Sequence, residues 1–196
     1  MMDALASQLN SLPIKPGDVI AFSGNGLVGK AIRRGTRSPY SHVGIVLDRL
    51  DGRYRLAESS FFNGLPDFQQ QPAIKGVQLH WLEDWLSAYR RDGAAFWVPL
   101  KDAIAHHQLP IFQQTLLQQH SNQATFSYRK MFTAWLRQYH FSLPPAKDQK
   151  HVYCAEMVAI ALQKARILPP DLIPQYQTPA TIVALPCFSS PETIYS

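Results

Sequence analysis

A cysteine, a histidine and a carboxylate can supply a thiolate nucleophile, its base and the group that orients the base. Cys154 follows a loop containing Pro144, Pro145, Lys147 and Lys150. It falls at the start of the segment Tyr153 to Ile167, where Val158, Ala161, Leu162 and Ala165 share one face of an amphipathic helix. A helix start leaves backbone N–H groups unpaired and carries the positive end of the helix dipole, which favours thiolate over thiol. The same groups would stabilise an oxyanion formed by attack on a carbonyl.

His42 opens the apolar run Ser41-His-Val-Gly-Ile-Val-Leu47, and Glu58 lies in Tyr54-Arg-Leu-Ala-Glu-Ser59. Both runs read as strands, and Asp51-Gly52 between them is a hairpin signal. Positions 42 and 58 are therefore expected on adjoining antiparallel strands, within a residue or two of register, with their side chains on a shared face. A carboxylate on one imidazole nitrogen would fix the tautomer and support the imidazolium. Other histidines fit less well. His151 lies in the loop just before Cys154 and would have to fold back to act as base, while His80, His106, His107, His120 and His140 sit in segments without a matching partner and read as surface or packing residues. Cys187, between Pro186 and Phe188, has no helix start to activate it.

The stretch Ser23-Gly-Asn-Gly-Leu-Val-Gly-Lys-Ala31 spells a different chemistry. Gly24, Gly26 and Gly29 match a dinucleotide-binding fingerprint, and Gly24, Gly29 and Lys30 match most of a P-loop. The hairpin at Asp51-Gly52 breaks the parallel crossover that a dinucleotide fold requires. Ala31 stands where a P-loop needs a magnesium-binding hydroxyl. The glycines are expected to form a tight turn between a strand at Val19 to Phe22 and a short helix from Leu27 to about Arg34, and to bind no phosphate.

Further strands are expected at 76–80 and 94–100, a short helical or irregular link at 82–90, and helices at 111–120 and 128–139, the last ended by Pro144-Pro145. Thr178-Pro179 resembles an N-cap and first helical residue. With 46% apolar and 17% charged residues among 196, and no repeat or linker, the chain is expected to form one domain over residues 1–196.

No apolar run is long enough to span a bilayer, and the N-terminus lacks a basic head followed by an apolar core, so a soluble, cytoplasmic protein without a transmembrane segment is expected. Two cysteines are too few for a disulfide framework. No closely spaced Cys or His pair offers a structural zinc site, and no cofactor or metal is called for. The net charge of +5 is modest, and Lys30, Arg33, Arg34 and Arg37 cluster without a reading module around them, so no nucleic-acid partner is expected.

Four stretches together resemble a known family: Pro16-Gly17-Asp18-Val19-Ile20, Ser41-His42-Val43-Gly44-Ile45-Val46, Ala57-Glu58-Ser59 and Tyr153-Cys154-Ala155-Glu156-Met157-Val158. They look like the circularly permuted branch of the NlpC cysteine peptidase superfamily, the YiiX/YebB-like group, with more distant kinship to lecithin:retinol acyltransferase. The order His, acid, Cys is that of the permuted branch; unpermuted members carry the Cys helix before the His strand. The resemblance spans about residues 13 to 185, and residues 60 to 145 contribute little beyond compatible length.

This resemblance implies an α+β, papain-like fold, with an antiparallel sheet or small barrel packed against the nucleophile helix. It implies Cys154 as nucleophile, His42 as base and Glu58 as polar orienter, a position that varies in the superfamily among His, Asn, Gln and acids. Tyr40 and Tyr153, which adjoin the base strand and the nucleophile, are expected to line the substrate pocket. The implied activity is hydrolysis of an amide bond in a peptide or cell-wall fragment through a thioester. The acyltransferase kinship points instead to lipid esters or acyl groups, and a non-catalytic binding module on the same fold is the third reading. Intact Cys154 and His42 argue against the last.

Overall fold

The computed structural model describes residues 2–60, 65–68, 75–137 and 150–196. Six strands, β1 (Val19–Gly24), β2 (His42–Leu50), β3 (Arg53–Ser60), β4 (Gly76–Trp81), β5 (Gly93–Val98) and β6 (Glu192–Tyr195), form one sheet in the order β4-β3-β2-β1-β5-β6. Every neighbouring pair is antiparallel. The architecture is α+β, and the sheet is open, ending at β4 and β6, where a small closed barrel was the alternative expectation.

Both faces of the sheet are covered, which is why its inner strands read as continuous apolar runs. On one face Ile20, Phe22, Val46 and Leu56 pack with Leu5 and Leu9 of α1 (Met2–Ser11) and with Leu82, Trp85 and Leu86 of α2 (Leu82–Tyr89). On the other, Val19, Ala21, Val43, Ile45 and Ala57 pack under α3 (Leu109–Ser121) and α4 (Cys154–Lys164). Two further helices, α5 (Leu27–Thr36) and α6 (Tyr128–Arg137), flank the end of the sheet where β1 stops and β2 begins, and a short α7 (Pro179–Val183) adjoins α4. The expected strands and helices are present with boundaries shifted by a few residues. Thr178 caps α7 with a capping box shared with Thr181. Helix α1 and strand β6 were not expected. The Pro144-Pro145 stop and most of the loop from 146 lie outside the described residues.

Buried Asp18 fixes the start of β1. Its carboxylate accepts from Trp97 Nε1 at 2.8 Å and from the Leu100 and Lys15 backbone N–H groups at 2.8 and 3.0 Å, tying the Pro16-Gly17 turn to β5. Gly17 takes φ +91°, a conformation that favours glycine. At the far end of β2, Asp51 and Gly52 have φ of 50° and 81°, the pair of positive angles that a tight hairpin needs to match strand twist.

The glycine-rich connection from β1 to α5 is closed by its own backbone. Gly24 N–H donates to Ser41 Oγ at 2.8 Å and Asn25 N–H to the Asp92 carbonyl at 2.6 Å, so two of the donors a phosphate loop would present are already engaged. With β1 between antiparallel neighbours on both sides, the dinucleotide topology is absent. Gly29 is required by packing: a Cβ there would lie 2.5 Å from the Gly24 carbonyl oxygen, whereas one on Gly26 would meet nothing within 4 Å. Gly29→Ala should therefore destabilise the fold by about 1–3 kcal/mol, while Gly26→Ala should stay within about 0.5 kcal/mol of the native protein. Urea unfolding of the two variants side by side checks this, and equal effects would contradict it.

Candidate active site

His42 and Glu58 meet because β2 contains a bulge. Near the hairpin the pairing is Leu50↔Arg53 and Asp48↔Arg55, but past the irregularity between Val46 and Asp48 it becomes Val46↔Leu56 and Gly44↔Glu58. Continued without the bulge, the hairpin register would place Glu58 opposite Ile45, whose face is the one His42 turns away from. The inserted residue moves Glu58 opposite Gly44, two positions from His42 and on its face. His42 Nε2 then lies 2.9 Å from Glu58 Oε2. Gly44 is bare at this point, and a Cβ on it would press into the Leu56 side chain.

The pair is desolvated by aromatic rings. The His42 ring stands 5.8 Å from that of Trp85 and 6.3 Å from that of Phe22, and Glu58 is 1% exposed. With Nε2 engaged by Glu58, Nδ1 is the ring nitrogen left for the cavity whose wall His42 shares with Cys154. Burial alone would push the His42 pKa down. Cys154 and then Glu58 outweigh it and raise the ring to about 10. Burial would likewise push Glu58 up, yet hydrogen bonds from His42 and His80 hold it below the usual carboxylate value.

Cys154 is the first residue of α4, with Tyr153 as N-cap in extended conformation, and it is 4% exposed. Three contacts bring this helix start to the sheet end. Ser59 Oγ donates to the Val152 carbonyl at 2.8 Å, Val152 N–H donates to the Thr125 carbonyl at 2.9 Å, and Lys130 Nζ donates to the His151 carbonyl at 2.6 Å. The same ammonium pairs with Glu156 Oε1 at 3.0 Å, locking α6 to the first turn of α4. Burial raises the Glu156 pKa, and Lys130 opposes that rise.

Two cavities meet at Cys154. One, of about 420 Å³, is lined by His42, Ser60, Tyr89 and Asp92 and by the glycines 24, 26 and 29. The other, of about 230 Å³, is almost wholly apolar, with Val28, Ile32, Met131, Phe132, Trp135 and Pro179 on its walls. Ser41 borders both.

The structure thus brings Cys154, His42 and Glu58 together. Tyr153 lines the apolar cavity while its hydroxyl donates to the Gln175 and Gln177 carbonyls at 3.0 and 2.6 Å, so the polar end is occupied in holding the following loop. Tyr40, expected in the pocket, instead packs edge-on against Phe96 at 5.5 Å and lines neither cavity. His151 is exposed and offers its backbone carbonyl to Lys130. Cys187 is half-buried, and burial pushes its thiol pKa up. His106 and His107 are exposed, and His140 lies outside the described residues.

Two histidines depart from the expectation that they lack partners. His120 Nε2 sits 2.9 Å from Asp67 Oδ2, which also accepts from Leu79 N–H. His80, 4% exposed, places Nε2 3.5 Å from Glu58 Oε1 and Nδ1 3.2 Å from the Pro66 carbonyl. The sequence signal for His80 was its strand, since Gln78 pairs with Glu58 and His80 follows on the same face. That register depends on the long connection from residue 61 to 75, which no local pattern specifies.

No family model matches the chain, and no curated protein matches it significantly. Among solved structures it is similar to the crystal structure of the metalloprotein YiiX from Escherichia coli O157:H7, a DUF1105 protein, with a TM-score of 0.60 over 91% of this chain and 96% of that one. The fold is like that of YiiX. Identity is 16%, so the likeness concerns the fold alone. YiiX is described as a metalloprotein, but among the described residues of this chain no three His, Cys, Asp or Glu side chains group so as to hold a metal ion. His42 and His80 direct their Nε2 atoms at the two oxygens of Glu58 rather than at a common point.

A pKa raised from 6.5 to about 10 means that folding favours the His42 imidazolium, a contribution complete below pH 6.5 and lost as pH rises through about 10. The difference in urea midpoint between the native protein and His42→Gln should shrink steadily across that window. A difference constant from pH 6.5 to 10 would contradict the pairing.

Proposed function

We propose that this chain is a cysteine hydrolase that cleaves an amide bond, in a peptide or cell-wall peptide, through a Cys154 thioester. One observation carries the reading: the partly buried His42 imidazole has Glu58 on Nε2 and shares with Cys154 the wall of a cavity of about 420 Å³. The YiiX-like fold and the permuted papain-like resemblance support it, the latter through the order His42, Glu58, Cys154.

In this mechanism the Cys154 thiolate attacks the acyl carbon, a C–S bond forms, and the carbonyl π pair moves to oxygen. Backbone N–H groups at the start of α4 stabilise that oxyanion. Collapse breaks the C–N bond as the His42 imidazolium gives its proton to the departing amine. Neutral His42 then takes a proton from water, whose oxygen attacks the thioester; collapse releases the acid and restores the thiolate and imidazolium. Glu58 stays ionised throughout and holds the ring. Transfer of the acyl group to an acceptor other than water uses the same residues. The apolar cavity against Cys154 favours this second reading, an esterase or acyltransferase acting on a lipid acyl group.

An acyloxymethyl ketone probe should label the native protein at Cys154 and label Cys187→Ala equally well, with the rate falling on the order of 100-fold or more in His42→Ala. A Cys154 no more reactive than a free thiol would sink the hydrolase reading in favour of a binding module. Turnover of peptide amides against lipid esters then separates the first reading from the second.

A further inference from the structure

We propose that His80 is a positioning residue for His42, acting through Glu58: its Nε2–H donates to Oε1 and leaves Oε2 aimed at the His42 ring. The proposal rests on the hydrolase reading for its consequence and on geometry for its substance. Glu58 has two buried carboxylate oxygens, one 2.9 Å from His42 Nε2 and the other 3.5 Å from His80 Nε2. A carboxylate oxygen only accepts, so His80 is useful to Glu58 only with a proton on Nε2. The Pro66 carbonyl, 3.2 Å from Nδ1, likewise only accepts, so the two contacts are made together by a ring that carries a proton on each nitrogen, held in place by the aligned β4 backbone.

His80 lines neither cavity, so it is placed to act on the imidazole and not on a substrate. Without it, Oε1 would be a buried oxygen missing a donor, and the economical response is to take up a proton. A protonated Glu58 no longer supports the His42 imidazolium. Among the described residues the other titratable groups around this carboxylate are His42 from β2, with Cys154 beyond it from α4, and Tyr89 from α2, whose pKa burial and then Glu58 raise. Asp67, in the same loop as Pro66, is engaged by Leu79 N–H and His120.

Three readouts test this. In wild-type protein labelled with ¹⁵N-histidine, the His80 ring should carry a proton on Nε2 as well as on Nδ1, and the His42 Nε2–H resonance should be strongly downfield and lost in His80→Leu. The pH profile of Cys154 alkylation by iodoacetamide should move its acid limb upward by on the order of one pH unit in His80→Leu. His80→Gln, whose amide N–H can still reach Oε1, should recover at least half of that shift. With a short-chain p-nitrophenyl ester as probe, kcat near the acid limb should fall roughly tenfold with KM unchanged.

A bare Nε2 on His80 in the wild type would overturn the proposal. So would a His80→Leu protein that is less stable but keeps the native alkylation profile and His42 resonance. The hydrolase reading fails separately, if wild-type Cys154 shows neither enhanced alkylation nor ester turnover; the two ring resonances still decide the role of His80 in that event.

Discussion

A carboxylate with 1% exposure sits on an apolar sheet face, and much of the site's construction follows from keeping it charged. Leaving such a group unpaired costs several kcal/mol, enough to make it bind a proton instead. Glu58 lies on β3, between β2 and β4, and each neighbouring strand contributes one imidazole to it. The β2 bulge, the bare Gly44 and the Leu56↔His80 register are all conditions for those two contacts. The Phe22 and Trp85 rings packed beside His42 also raise the strength of each pairing, because a low local dielectric amplifies satisfied and unsatisfied polar groups alike.

The Cys154 side depends on a second buried pair of charges. Helix α4 must present its first residue at the sheet end, yet the chain before it runs as loop. Lys130 holds both the His151 carbonyl and Glu156, on either side of Cys154 in sequence, while Ser59 reaches from β3 to the Val152 carbonyl. Ser59 neighbours Glu58 and points to the opposite face of the sheet. One strand therefore positions His42 through one residue and the loop before Cys154 through the next.

The central hairpin, the strand before the glycines and the helix that begins at Cys154 were legible because their signals are local: apolar alternation, an Asp-Gly turn and helical spacing. His42 and Glu58 were expected on adjoining strands and a shared face, but the bulge that puts them there leaves no mark in a run of apolar residues. His80 was passed over because its partner arrives through the pairing of β3 with β4, across a connection whose length fixes no register. Strand β6 escaped notice at four residues, and α1 because its buried contacts, Leu5 and Leu9, take meaning only from the sheet they cover. The glycine motif matches a phosphate loop in spelling alone, as the Asp51-Gly52 hairpin and Ala31 indicated. Its backbone closes on Ser41 and Asp92, Gly29 is set by packing, and the glycines form part of the wall beside Cys154.

The two cavities at Cys154 divide the proposed reaction between them. In a thioester mechanism the leaving group must depart where His42 can protonate it, and the attacking water must arrive where His42 can deprotonate it. Both events belong to the cavity that His42 lines, with Asp92 and the glycine backbone as its polar wall. The acyl group that stays on sulfur is then left with the other side, where Ala31, Phe132, Trp135 and Pro179 offer apolar surface and His42 is absent. Amide hydrolysis and lipid acyl transfer accordingly differ in what fills the apolar side and what attacks from the polar one, while the assembly of Cys154, His42, Glu58 and His80 would serve either without rearrangement.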